Sequence, residues 1–297
     1  MNQVSRVAIV GGTHGNELTG VYVVKKFEQF PQLVERSSFE TLLLVANPKS
    51  FEIGRRYVET DLNRCFALEE LENPQFVQYE QLLAKVIDQQ LRNAQVDFLI
   101  EIHSSTANMG LTLLLSSEHV FNLRLAAYLS HVNPLIRVLK TGSTRKGNRL
   151  RDRFELGLTI EVGPIAQGVL NATLFYNTEN LIFNILDYLE HSNQQQAVKI
   201  PDQLTVFSAQ TAIDFPRNEQ GDLAGMIHPD LEGQDYQPIE LGHPLFLQFD
   251  GSIETYQGPE LIYPVFINES AYLEKGIAFY LATKQEILVP SYPAKQE

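Results

Sequence analysis

Short apolar runs with little polar alternation recur through the first part of the chain. Runs of this kind, rich in Val, Ile and Leu, are typical of strands buried on both faces of a sheet. They predict six strands, at residues 7–10, 41–46, 96–102, 111–115, 135–140 and 158–162. Helical periodicity marks four further segments, at residues 17–30, 74–92, 119–131 and 172–190. Strands that alternate with helices predict an α/β fold with a largely parallel or mixed sheet.

The pattern changes near residue 192. Residues 192–196, Ser-Asn-Gln-Gln-Gln, are polar and low in complexity, which is typical of a linker. Short apolar runs at residues 204–209, 245–249 and 263–267 follow, separated by Gly and Pro, and helical periodicity returns only at 271–279. We therefore predict two domains, an α/β domain at residues 1–195 and a smaller, mainly β domain at residues 200–297.

The composition excludes several classes of function. The chain has 297 residues, of which 44% are hydrophobic and 20% charged, as in an ordinary globular protein. Its formal net charge of -13 argues against nucleic acid as a partner, because phosphate binding needs a basic face. No apolar run approaches the roughly 20 residues that span a bilayer, and no signal-peptide pattern is present. The single cysteine, Cys65, excludes an intramolecular disulfide, and we expect a reducing, cytoplasmic compartment.

A glycine-rich stretch, residues 11–17 (Gly-Gly-Thr-His-Gly-Asn-Glu), joins the first predicted strand to the first predicted helix. Open α/β sheets place ligand sites at such strand ends. His14 and Glu17 can offer two ligands to one metal ion, and with one cysteine any zinc site must use His, Asp or Glu. A loop histidine and a glutamate that caps a helix are the alternative. The glycine spacing fits neither of the common phosphate-loop motifs.

Two further candidates stand at predicted strand ends. His103 follows the strand at residues 96–102, and parallel strands would place it at the same sheet edge as His14, as a third metal ligand or as a structural histidine. Glu161 lies in an apolar strand before a Gly-Pro turn, where burial would raise its pKa toward that of a general base. A structural carboxylate is the alternative. Glu101 is either a rival base or a support for His103.

Two basic loops accompany these candidates. The first, residues 55–66, contains three arginines, and Arg binds carboxylates bidentately. The second precedes the strand of Glu161 and contains Arg145, Lys146, Arg149, Arg151 and Arg153. In an acidic chain such clusters indicate a substrate with more than one negative group. Solvated loops are the alternative, which we favour for most of the second cluster.

The residues that carry chemistry follow one another in the order His14, Glu17, Arg56, Asp61-Leu62-Asn63-Arg64, His103 and Glu161. This order resembles that of the zinc carboxypeptidase-like superfamily. The longer strings VAIVGGTHGNELTGV, DLNR, IEVGP and YPVFINESAY resemble the family of aspartoacylase and aminoacylase-3, and the similarity runs over nearly the whole chain. The resemblance implies a mixed central sheet flanked by helices, with a mainly β C-terminal domain that covers the active-site cleft.

The resemblance also implies roles for individual residues. The implied zinc ligands are His14, Glu17 and His103, the general base is Glu161, the carbonyl-polarising residue is Arg56, and the substrate-binding residues are Asn63, Arg64, Arg151 and Tyr272. One zinc ion per subunit and a homodimer or larger homo-oligomer are expected. The loop at residues 141–153 departs from the family, so Arg149 or Arg153 could take the place of Arg151.

The activity that the resemblance implies is zinc-dependent hydrolysis of small anionic N-acyl amino acids. The first candidate reaction converts N-acetyl-L-aspartate and water to L-aspartate and acetate. The nearest alternative is an aminoacylase-3-like or succinyl-amino-acid deacylase that acts on a different side chain. A peptide-cleaving carboxypeptidase is a second alternative, disfavoured because the C-terminal domain would narrow the cleft. A non-catalytic, metal-dependent binding protein is the third, and the presence of ligands, base and polarising arginine together weighs against it.

Overall fold

The structure, a computed structural model, describes residues 3–141 and 147–291. Its strands are β1 Arg6–Gly11, β2 Glu40–Val45, β3 Phe98–Ser104, β4 Gly110–Leu115, β5 Ile136–Thr141, β6 Leu156–Gly163, β7 Gln203–Ile213, β8 Gly225–Ile227, β9 Pro244–Gln248, β10 Ile253–Thr255, β11 Tyr263–Val265 and β12 Phe279–Leu288. Its α-helices are α1 Leu18–Gln29, α2 Pro48–Glu52, α3 Leu68–Glu72, α4 Tyr79–Asn93, α5 Val120–Val132 and α6 Ala172–Asn193. Within these two ranges, no helix has the length and apolar character needed to cross a bilayer.

One mixed sheet organises the fold. Its nine strands lie in the order β11-β12-β7-β5-β4-β6-β3-β1-β2. Strands β2, β1, β3 and β6 are parallel neighbours, whereas β4 pairs antiparallel with β6. The carboxyl ends of β1, β3 and β6 therefore share one edge, and the register places His103 directly beside Glu161. The predicted α/β fold with a mixed sheet is confirmed.

The inner strands are apolar because helices cover both faces of the sheet. Successive residues of β1 contribute to opposite cores, Ile9 to one and Val10 to the other. Helices α1, α5 and α6 cover the face of Ile9, and α4 covers the face of Val10. Helix α1 sits very close to β1, since a methyl group on Gly11 would lie 2.2 Å from the carbonyl oxygen of Gly20. This close approach fixes the loop between β1 and α1.

The C-terminal third of the chain completes the same sheet. β7, β11 and β12 belong to it, while β8, β9 and β10 form a separate three-stranded sheet. The predicted linker at residues 192–196 begins inside α6, which continues to Asn193. The predicted domain boundary between residues 195 and 200 stays a prediction. Hydrogen-bonded strand pairing continues across it, from β5 to β7.

The helical periodicity at residues 271–279 does not correspond to an α-helix. A 3₁₀ turn, Ser270–Lys275, ends at Gly276 in the left-handed conformation (φ 65°), and β12 begins at Phe279. The segment from Ile277 to Phe279 is apolar and buried. A short buried run of this kind fits a helix and a strand equally well, so periodicity could not distinguish them.

Candidate active site

Three side chains meet at the carboxyl edge of β1 and β3. His14 and Glu17 come from the loop of residues 11–17, here called the glycine loop, and His103 comes from the end of β3. Their ligand atoms lie within 4.8 Å of one another, and all three residues are buried. The Glu17 carboxylate lies between the two rings, with its oxygens 2.6 Å from Nδ1 of His14 and 2.9 Å from Nδ1 of His103.

Each histidine is held from behind by a second carboxylate. Oδ1 of Asp61 lies 2.9 Å from Nε2 of His14, and Oε1 of Glu101 lies 3.1 Å from Nε2 of His103. Carboxylates in this position orient imidazoles toward a metal ion and fix the tautomer. The Nδ1 atoms of both rings face the Glu17 carboxylate, and the three side chains together offer a His/His/carboxylate donor set, which suits zinc. The donor set therefore fits a divalent metal ion.

The charges of this cluster support one another. Burial alone would raise the pKa of Glu17, but the His14 and His103 imidazoles lower it well below its ordinary value. Burial would lower the pKa of His103, whereas Glu17 and Glu101 raise it well above its ordinary value. A charge in this interior is stable only because a partner of opposite charge lies within hydrogen-bonding distance.

A second segment, residues 55–64, reaches the cluster of His14, Glu17 and His103 and is here called the arginine loop. The Arg56 guanidinium lies 3.2 Å from Glu17 and 3.4 Å from Asp61. Burial would lower the pKa of Arg56, but these two acids raise it, so the side chain stays cationic. The backbone N–H of Gly15 donates to the carbonyl of Arg56 at 3.3 Å. A methyl group on Gly15 would lie 2.1 Å from the backbone nitrogen of Phe51, so only glycine fits there.

The end of the arginine loop is a 3₁₀ turn, Leu62–Arg64. Asp61 caps this turn by accepting the backbone N–H of Asn63 at 3.1 Å. The Asn63 amide nitrogen lies 3.4 Å from Nε2 of His103. One short turn therefore carries the Asn63 amide to the metal-ligand cluster.

Glu161 stands on the neighbouring strand, β6. The residue is buried, and burial raises its pKa to about 8; His103 lowers it, while Glu17 and Glu269 raise it. A carboxyl group with a pKa in this range can accept and release a proton near neutral pH. Glu161 is thus suited to proton transfer beside the candidate metal ligands.

The C-terminal part of the chain forms the roof of the site. Tyr272 lies in the turn Ser270–Lys275, and burial raises the pKa of its hydroxyl group. Nζ of Lys275 lies 3.2 Å from Oδ2 of Asp61, which ties the roof to the arginine loop. Glu269 accepts the backbone N–H of Thr106 at 2.7 Å, just beyond the end of β3. The roof is therefore bonded to two of the segments that build the site.

A cavity of about 70 Å³ lies among these groups. Every predicted site residue except Arg151 lines it, and so does Arg149. Leu114 and Phe266 contribute apolar wall. The cavity is small and combines acids, arginines and apolar surface.

Arg151 does not line the cavity, although the resemblance implied that it binds the substrate. Its guanidinium donates to the carbonyl oxygens of Phe154 at 2.6 Å and Gly157 at 2.5 Å, and the residue is 2% exposed. Arg153 pairs instead with Asp88. The two side chains point in different directions because both lie in the 3₁₀ turn Leu150–Arg153, in which successive side chains point about 120° apart.

The two other basic residues of that cluster, Arg145 and Lys146, lie outside the described residues. Arg149, which precedes the turn, is half-buried and donates to Asp152 at 3.1 Å and to Thr141 at 3.1 Å. Among the described arginines of the cluster, Arg149 alone lines the cavity.

Sequence reasoning missed three residues that the structure brings to the site. Asp61 stood in the string Asp61-Leu62-Asn63-Arg64 but received no role, although an acid before a short turn is a recognisable capping signal. Glu269 and Lys275 lie more than 160 residues from their partners Thr106 and Asp61, and no local pattern announces such contacts.

Comparisons with known proteins agree with this arrangement. The family model described as the succinylglutamate desuccinylase/aspartoacylase catalytic domain matches residues 3–189. A second model, described as the AstE/AspA barrel-sandwich hybrid domain, matches residues 202–284. Together the two models cover most of the chain.

Individual relatives are similar over nearly their whole length. A probable aspartoacylase from Nostoc sp. is 51% identical over 98% of this chain and 100% of that protein. The N-acyl-aromatic-L-amino acid amidohydrolase (carboxylate-forming) of Homo sapiens is 37% identical over 97% of this chain and 93% of that protein. The crystal structure of murine aminoacylase 3 matches with a TM-score of 0.91 and 36% identity, over 98% of each chain.

The pairing of Asp61 with His14 leads to a prediction about metal affinity. Asp61→Asn keeps the side chain's shape but removes the charge that holds the imidazole. We expect the zinc dissociation constant to rise by about 10- to 100-fold. Competition with a chromophoric chelator measures it. Asp88→Asn, which removes a carboxylate paired with Arg153 and Arg92, is the control. Equal zinc affinity in Asp61→Asn and the parent protein would show that Asp61 does not support the ligand.

Proposed function

The chain belongs to the succinylglutamate desuccinylase/aspartoacylase family of hydrolases, and we propose that it is a zinc-dependent deacylase of small anionic N-acyl amino acids. N-acetyl-L-aspartate is the first candidate substrate. The observation that carries the proposal is the meeting of His14, Glu17 and His103 with the buried Glu161 and the cationic Arg56 around one small cavity.

His14, Glu17 and His103 would hold the zinc ion. When bound, zinc supplies Lewis-acid chemistry, since it lowers the pKa of water and polarises a carbonyl oxygen. Glu161 takes a proton from the water molecule that attacks the acyl carbon. As the new C–O bond forms and the C–N bond breaks, Glu161 gives this proton to the nitrogen of the departing amino acid. Its raised pKa suits both transfers.

Arg56 stabilises the negative charge that develops on the acyl oxygen. A guanidinium that is already in place needs no reorganisation during the reaction. Glu17 and Asp61 hold it at 3.2 Å and 3.4 Å and keep it protonated. The Tyr272 hydroxyl, above the same cavity, is a further hydrogen-bond donor toward the substrate.

The substrate carboxylates are assigned to Asn63, Arg64 and Arg149. Arg64 and Arg149 line the cavity and supply two positive charges for two carboxylates. Leu114 and Phe266 offer an apolar wall to a short acyl group. The roof of C-terminal residues over the cavity favours a single N-acyl amino acid over a peptide. We place Arg149 in the role first expected of Arg151.

The second candidate is a deacylase of N-acyl aromatic amino acids. It is favoured by the 37% identical human relative of that name and by the TM-score of 0.91 with murine aminoacylase 3. Arg149 in the cavity wall supports the first candidate, because together with Arg64 it supplies two guanidinium groups, which match the two carboxylates of N-acetyl-L-aspartate. A homo-oligomer with one zinc ion per subunit is part of the same proposal.

A substrate panel separates the candidates. The zinc-loaded protein is incubated with N-acetyl-L-aspartate, N-acetyl-L-phenylalanine, N-succinyl-L-glutamate and a short peptide, and free amino groups are measured. We expect kcat/KM to be highest for N-acetyl-L-aspartate. A preference for the aromatic substrate would establish the second candidate. Turnover of none of the four would favour a metal-dependent binding protein.

The role of Glu161 can be tested apart from metal binding. Glu161→Ala removes the proton-transfer group but none of the metal ligands. We expect full zinc content and a fall in kcat of at least ~10²-fold. Elemental analysis and steady-state kinetics measure the two quantities, and Glu155→Ala, on the exposed approach to β6, is the control. Near-normal turnover in Glu161→Ala would mean that another group is the base.

Substitutions of Arg149 and Arg151 are expected to have different effects, on KM and on thermal stability respectively. Arg149→Gln removes a charged partner of the substrate, and we expect KM for N-acetyl-L-aspartate to rise by roughly tenfold or more. N-acetyl-L-alanine, which has one carboxylate fewer, should be affected less. Arg151→Gln loses two buried hydrogen bonds to backbone carbonyls and should lower the melting temperature without this discrimination. The reverse pattern in the two variants would return the role to Arg151.

A further inference from the structure

Glu80, in the first turn of α4, is a fully buried acid that does not line the cavity. Its carboxylate faces the arginine loop. Oε1 accepts the backbone N–H of Val58 at 2.6 Å and the side-chain amide of Asn47 at 3.1 Å. Oε2 accepts the backbone N–H groups of Glu59 at 3.0 Å and Thr60 at 3.1 Å. Each oxygen therefore accepts two hydrogen bonds.

Three successive backbone N–H groups that point to one spot form an anion-binding concavity. Such concavities commonly hold a phosphate or another external anion. Here the chain fills the concavity with its own side chain, since residues 58–60 surround the Glu80 carboxylate. A buried carboxylate is costly unless its oxygens are hydrogen-bonded, so this segment and Glu80 depend on each other.

Asn47 extends the connection to the glycine loop. Its side-chain amide donates to Glu80, and its backbone N–H donates to the carbonyl of Gly12 at 3.0 Å. Its side-chain oxygen accepts the backbone N–H of Ser50 at 3.2 Å and caps α2. Glu80 is therefore bonded to the arginine loop directly and to the glycine loop through Asn47.

The three bonded amides lie between two residues that act on the metal ligands. Arg56 precedes them and reaches Glu17, and Asp61 follows them and reaches His14. A displacement of the amides would move both side chains at once. We propose that Glu80 is a positioning residue that sets the arginine loop so that Arg56 and Asp61 engage the metal-ligand cluster. The kinetic part of this proposal rests on the proposed deacylase function.

The central variant is Glu80→Gln, which is isosteric but turns an acceptor oxygen into a donor facing other donors. Amide hydrogen exchange at residues 58–60 should become faster. Zinc affinity should fall because Asp61 would hold His14 less well. The kcat should fall on the order of 10²-fold, as expected when a catalytic group such as Arg56 is misplaced. Asp97→Asn is the matched control, because that carboxylate also accepts two backbone N–H groups, at 2.7 and 3.0 Å, but at the opposite end of the sheet.

A double-mutant cycle separates positioning from general loss of stability. If Glu80 acts through Arg56, Glu80→Gln should cost much less in kcat when Arg56→Gln is already present. Its effect on zinc affinity should likewise shrink when Asp61→Asn is present. Additive effects in both cycles would overturn the proposal. Equal kcat losses in Glu80→Gln and Asp97→Asn would do the same.

A second variant covers the case in which Glu80→Gln does not fold. Asn47→Asp keeps the cap on α2 but replaces the donor to Glu80 by a carboxylate, and it should change exchange, zinc affinity and kcat in the same direction. Unchanged exchange at residues 58–60 in either folded variant would contradict the proposal. If the parent protein hydrolyses no N-acyl amino acid, the deacylase function fails, while the exchange and zinc measurements still decide the role of Glu80.

Discussion

The buried carboxylate of Glu17 is the interaction on which the rest of the site depends. A charge that is removed from water must be paired and hydrogen-bonded, and Glu17 meets this need with the imidazoles of His14 and His103. Each imidazole then engages an acid of its own, Asp61 or Glu101. The result is a set of buried charges in which the loss of one member weakens the pairing of at least two others, so the members depend on one another.

The members of this set come from distant parts of the chain, and the sheet brings them together. Parallel pairing of β1, β3 and β6 places three strand ends at one edge, and the register of β3 with β6 puts His103 beside Glu161, although the two residues are far apart in the sequence. The arginine loop and the roof then close over that edge, and Lys275 joins one to the other. The strand register fixes where His103 and Glu161 lie along the sheet edge. The loops determine which of their own side chains face the cavity.

Local sequence patterns were sufficient wherever a residue's position follows from its own strand. The apolar runs of β1, β3 and β6 predicted the sheet, and the polar residues at their ends predicted His14, His103 and Glu161 as neighbours. Patterns failed where a short turn decides side-chain direction, as in the choice between Arg149 and Arg151, because each residue along a 3₁₀ turn rotates the side-chain direction by about 120°. They failed also for Lys275 and for β12, whose places depend on pairing partners far away in the sequence.

The continuous sheet has a consequence for how the site can open and for what a shorter chain would lack. The turn with Tyr272 connects β11 and β12, which are strands of the same sheet as the floor. We therefore expect ligand exchange to use local movements of loops rather than the opening of a separate domain. The two parts of the chain are also joined by strand pairing between β5 and β7. A chain that stopped after α6 would lack the roof and would expose the edge of β5, an open strand that invites pairing with other chains.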